Sequence, residues 1–142
     1  MSKILLLLVF VISFSIPGLA DSYVLDTDIC TGGCGAPPYG TIDLTQGANA
    51  NTVHVVISLT AGNFIHTGQP GSTFAFNISG NPTISVQNFS LSGWSLDSPT
   101  AGSLHAAGFS DFEYSLNCCF SNNGGANAQP SPISFDMVSG GL

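Results

Sequence analysis

The chain has 142 residues, Lys+Arg 1 against Asp+Glu 8, a net charge of −7, and only 6% charged residues. Its basic residue is Lys3, so everything beyond that position carries carboxylates and no permanent cation. That balance repels nucleic acid and anionic lipid surfaces, and it excludes a Schiff-base lysine, an arginine phosphate clamp and any Lys or Arg salt bridge in the body of the fold.

Met1 to Ala20 reads as a secretory signal. Lys3 precedes the apolar run Ile4 to Ile12, Pro17 breaks any helix, and Gly18-Leu19-Ala20 supplies the small residues a signal peptidase needs. The segment is too short, and wrongly flanked, for a membrane anchor, and no lipobox cysteine stands at the cleavage point. The expected mature chain is residues 21–142, one domain, secreted or at the cell surface, with no membrane insertion after cleavage.

Asp21 to Ile29 reads as an irregular or edge segment around Tyr23-Val24-Leu25, and Pro37-Pro38-Tyr39-Gly40 stops any regular element. Thr41 to Thr45 is a short strand with Ile42 and Leu44 inward, followed by a polar turn from Gln46 to Asn51. From Thr52 to Leu59, Val53, Val55, Ile57 and Leu59 fall on one side, which is the period of a half-buried strand. Ala61-Gly62-Asn63 reverses the chain into Phe64-Ile65-His66-Thr67, a hairpin partner. Phe74, Phe76 and Ile78 repeat the period, and so do Ile84 and Val86, with turn chemistry at Gly68 to Gly71 and Gly80-Asn81-Pro82. The apolar parity then slips, since Phe89 and Leu91 continue at odd positions, so a bulge or strand end belongs near Gln87-Asn88.

Trp94 is expected to pack against a sheet, and Asp97 to Gly102 to form a loop. Phe112, Tyr114, Leu116 and Cys118 alternate cleanly along Asp111 to Cys118. Ser121 to Ser131 is a polar loop, and Ile133, Phe135 and Met137 mark a last inward-facing strand. No stretch beyond the signal carries a helical stripe. Short strands broken by Gly and Pro predict an all-β chain, an antiparallel β-sandwich of jelly-roll-like type.

Four cysteines in an exported chain imply two disulfides, and three pairings are open. Cys118 and Cys119 are adjacent and would leave opposite faces of a strand, which favours each pairing with Cys30 or Cys34. A four-thiolate zinc site is disfavoured by that adjacency and by an oxidising compartment. Asp26 and Asp28 share a face of an extended segment, as do Asp111 and Glu113; carboxylate pairs without a cationic neighbour are candidate calcium ligands, against the simpler reading as solvated surface charge. The pair Asp111 and Glu113 lies side by side, which does not suit a glycosidase acid and base. His54, His66 and His105 show no metal-ligand spacing, and His54 reads as an exposed strand residue. Gly108-Phe109-Ser110-Asp111-Phe112 lacks the closing glycine of a nucleophile elbow. Trp94, Tyr39 and Tyr23 are the aromatics available for stacking on sugar rings, core packing being the simpler expectation for Trp94.

Cys34-Gly35-Ala36-Pro37-Pro38-Tyr39-Gly40-Thr41, Val53 to Leu59, Phe64 to Gly68, Phe74 to Ile78 and His105 to Tyr114 together resemble the exported domain of bacterial PEP-CTERM proteins. That resemblance covers most of Cys30 to Met137. It implies a β-rich, lysine-poor domain at the cell envelope and transfers no catalytic residues. The Pro-Glu-Pro motif, apolar span and basic cluster of the sorting tail are missing, so the chain is either a truncated copy or a released form, and an exosortase is a partner only if a tail is missing from this chain. The composite expectation is an exported, non-enzymatic surface or extracellular-matrix protein that contacts extracellular polysaccharide. The alternative is a carbohydrate-binding module.

Overall fold

The computed structural model describes residues 20–27, 35–61, 74–97, 104–105, 111–119 and 128–140, the pair 104–105 by backbone path alone. The period-two runs become strands, and no helix occurs among the described residues. In chain order these are β1 (Ala20–Leu25), β2 (Gly40–Gln46), β3 (Thr52–Leu59), β4 (Phe74–Phe76), β5 (Ile84–Gln87), β6 (Trp94–Asp97), β7 (Leu104–His105), β8 (Asp111–Phe112), β9 (Tyr114–Cys118) and β10 (Ile133–Ser139).

Two antiparallel sheets carry most of them. The larger has the order β1-β2-β3-β10-β5, the smaller β4-β9-β6, and β7 and β8 form a separate pair. Each main sheet turns one apolar face to a common core. Val55, Ile57, Ile133 and Phe135 come from the larger sheet, and Trp94, Leu116 and Cys118 from the smaller. Ile42, Leu44, Val53, Leu59, Phe74, Phe76, Val86 and Met137 pack around them. The expected alternation is therefore the observed one along these strands, because a register slip of one residue would turn each set to solvent.

The differences have local causes. β1 begins at Ala20 and pairs along its whole length with β2, from Ala20 opposite Thr45 to Leu25 opposite Gly40. β5 ends at Gln87, and Asn88 adopts a left-handed φ of 55°, which produces the anticipated parity slip and lets Phe89 pack on the core. β4 is shorter than Phe74 to Ile78 because the next residue's side chain takes over the pairing. Asn77 Nδ2 donates to the carbonyl of Asp111 (3.2 Å), and Asn77 Oδ1 accepts the Glu113 N–H (2.8 Å). The same clamp splits the expected strand from Asp111 to Cys118 at Glu113, and Phe112, expected inward, pairs with Leu104 outside the core cluster. Asp97, expected in a loop, ends β6 opposite Ser115.

Cys118 and Cys119 are joined to each other. The expected bridges from these two residues to Cys30 or Cys34 are thus replaced by a vicinal one. β9 stops at Cys118, and Cys119 has a left-handed φ of 56°, so the two side chains do not leave opposite faces of one strand. Cys30 and Cys34 lie outside the described residues, as do the expected hairpin partner at Phe64 to Thr67 and residues 1–19 of the expected signal.

Candidate functional site

The residues singled out from the sequence do not converge. Asp28 lies outside the described residues, and Asp26 is exposed, its carboxylate accepting from Thr27 Oγ1. Asp111 sits in the β7–β8 pair and Glu113 at the break before β9. Among the described residues, no group of three or more His, Cys, Asp or Glu gathers as a metal site. Trp94 is 8% exposed, its ring 6.4 Å from that of Phe89, so it has no open face for a sugar. Tyr39 is half-buried with its hydroxyl donating to the carbonyl of Gly35 (3.1 Å). Tyr23, by contrast, is 55% exposed on the edge strand β1.

Three arrangements that the sequence did not bring forward stand out. The first is a cleft of about 500 Å³ lined by Tyr23, Ile42, Leu44, Phe74, Phe76 and Met137 among others. It lies between residues of the two sheets, and its wall is almost wholly apolar, which suits shape and ring contacts better than charge recognition.

The second lies on the opposite face of the larger sheet from the core. His54 on β3 and Asp136 on β10 are directly opposite in register, with Nδ1 and Oδ1 2.7 Å apart. Asn88 Nδ2 donates to the other oxygen of Asp136 at 2.8 Å. Hydrogen bonds from Asn88 and then His54 hold the Asp136 carboxyl below its ordinary value of 3.8, against a smaller opposing effect of burial. The carboxylate therefore ties together β3, β10 and the residue that follows β5. His54 is a partner in this clamp, where sequence alone suggested a plain exposed position.

The third is on β9. Tyr114, Leu116 and Cys118 face inward, so the intervening Ser115 and Asn117 turn to the other side of the smaller sheet, with Glu113 at the bend just before the strand. Polar residues on an outer face are ordinarily solvated, yet Ser115 is 0% and Asn117 8% exposed. Ser115 Oγ, Asn117 Oδ1 and Glu113 Oε2 are all buried with no hydrogen-bond partner among the described residues. Asp97 joins this group from β6. It stands opposite Ser115 in register, and its Oδ2 accepts from Asn117 Nδ2 at 3.2 Å. Nothing in an alternation of Ser and Asn with apolar residues distinguishes a covered polar row from a wet one, which is why sequence pattern alone passed it over.

No family model, curated protein or solved structure matches the chain. Function rests on its own residues.

Proposed function

We propose that the chain is an exported, non-enzymatic protein of a cell surface or extracellular polymer matrix. What supports this most is the signal-like segment Met1 to Ala20 together with the register of the first described strand. β1 takes in only the last residue of that segment, so cleavage between Ala20 and Asp21 removes one pair, Ala20 opposite Thr45, and leaves the pairing from Asp21 opposite Leu44 onward untouched. The scarcity of charge and the absence of Lys and Arg beyond Lys3 agree with a surface solvated by Ser, Thr, Asn and Gly. The PEP-CTERM-like resemblance fits the same setting, with an exosortase involved only where a longer chain carries a sorting tail.

The test is expression of the whole chain with a C-terminal tag in a Gram-negative host. The reading expects the tag outside the inner membrane and a mature N-terminus at Asp21. An intact Met1 on a cytoplasmic product overturns it.

A second reading, a carbohydrate-binding module, is favoured by one observation: exposed Tyr23 beside the ring-lined cleft. Binding to a polysaccharide on a glycan array, abolished in Tyr23→Ala, selects the module. A silent array selects the matrix protein.

A further inference from the structure

We propose that the outer face of the smaller sheet is a calcium site, ligated by Glu113, Ser115, Asn117 and Asp97. The geometry converges on Ser115. Asp97 stands directly across from it, Asn117 lies two residues on along the same strand face, and Glu113 sits two residues before it at the bend that opens β9. The amide of Asn117 is oriented by its hydrogen bond to Asp97, which commits Nδ2 and leaves Oδ1 as an acceptor without a donor.

The unpartnered atoms share one chemistry. Glu113 Oε2 and Asn117 Oδ1 only accept, and Ser115 Oγ has lone pairs to offer, all three buried. Buried polar atoms ordinarily have partners, so three orphans within five consecutive residues call for a missing one. A water molecule can donate to Glu113 and Asn117 and accept from the Ser115 hydroxyl, but it does not draw in the Asp97 carboxylate as well. A cation satisfies every oxygen at once. No Lys or Arg exists beyond residue 3 to pair with Asp97, which is exposed, or with Glu113, whose Oε2 is buried, so neither carboxylate has a Lys or Arg competing with an added cation.

The donor set also selects the ion. All four side chains offer hard oxygen, which favours calcium or magnesium over zinc or copper, whose sites draw mainly on nitrogen and sulfur. Calcium accepts irregular sets of six to eight oxygens, whereas magnesium demands near-ideal octahedral geometry and keeps most of its water. Side chains fixed on a twisted sheet suit the first. The site is distinct from the carboxylate pairs Asp26/Asp28 and Asp111/Glu113 read from sequence, sharing only Glu113, and it stands whichever compartment the chain occupies.

The experiment is calorimetric titration of the whole chain, stripped with EGTA, with calcium chloride, alongside melting curves with and without calcium. The expected result is saturable binding of a single ion with a Kd of about 10⁻⁴ to 10⁻³ M, the range of extracellular calcium modules, and a melting point raised by calcium. Asp97→Asn weakens binding about tenfold or more, as loss of one carboxylate from such a set requires. Ser115→Ala is the decisive variant. It removes an orphaned hydroxyl, so the calcium-free protein melts no lower than the parent, yet the calcium-dependent rise shrinks. Asp26→Asn and Asp111→Asn bind calcium as the parent does. The proposal is overturned by no heat and no melting shift at about 10⁻² M calcium, an order above the weakest such modules. It is equally overturned by binding that survives Asp97→Asn and Ser115→Ala but fails in Asp111→Asn, or by magnesium acting as strongly as calcium.

Discussion

Asp136 shows how one side chain joins segments far apart in the chain. Its two oxygens serve His54, 82 positions away, and Asn88, 48 away. Because its folded pKa lies below the ordinary value, it binds fewer protons in the folded state than in the unfolded one near pH 4. Its contribution is therefore complete above the unfolded value of about 3.9 and fades as pH falls through the depressed folded one. Asp136→Asn is expected to lower stability at neutral pH and to flatten the loss below pH 4, as urea titrations at stepped pH will show. Asn88 combines this hydrogen bond with a left-handed backbone, so Asn88→Ala should cost about 1–2 kcal/mol, more than Asn88→Gly, which relieves the backbone strain. At the alkaline end Tyr114 acts in the opposite sense. Burial first, and the charge of Glu113 second, push its phenol above 10.0, and its hydroxyl donates to the carbonyl of Pro82 at 2.6 Å. Its share of stability is full below the unfolded value and lost as pH rises through the raised folded one, and Tyr114→Phe should remove that alkaline slope.

Strands were legible where one face is wet and the other dry. Val55, Ile57, Ile133 and Phe135 are the inward set of β3 and β10, and plain parity identifies them. β9 was half legible: Leu116 is where alternation puts it, but the burial of Ser115 and Asn117 depends on what covers the second face, and that leaves no periodic trace. The break at Glu113 was hidden for a similar reason, since the acceptor that replaces a ladder bond belongs to Asn77, 36 residues earlier. The vicinal pairing of Cys118 was missed because strand geometry was assumed to continue through Cys119, where the backbone has already turned left-handed. At this scale Leu116→Ala should cost about 2–5 kcal/mol by emptying a closed position between the sheets, measurable as a shift of the denaturant midpoint at constant slope. Gly40→Ala tests the close approach of β2 to β3. A Cβ there meets the Ser58 carbonyl oxygen, which is backbone and cannot swing aside, so the variant should melt well below the parent.

Across the whole molecule, the larger sheet is assembled out of chain order. β10 inserts between β3 and β5, so an interior place in the sheet is filled by the last of the ten strands among the described residues. A chain cut before Ile133 should lose cooperative unfolding altogether, which circular dichroism melts will reveal, because β3 and β5 then have no neighbour in common and Phe135 is gone from the core. The ordering also bears on time. Local hairpin closure can start at β2 and β3 as soon as they exist, but nucleation of the finished sheet waits on a contact spanning more than half the polypeptide, and such closures are slow. A ribosome-fresh chain thus stays pliable until β10 has emerged, and a protease added during synthesis meets an open sheet up to that moment.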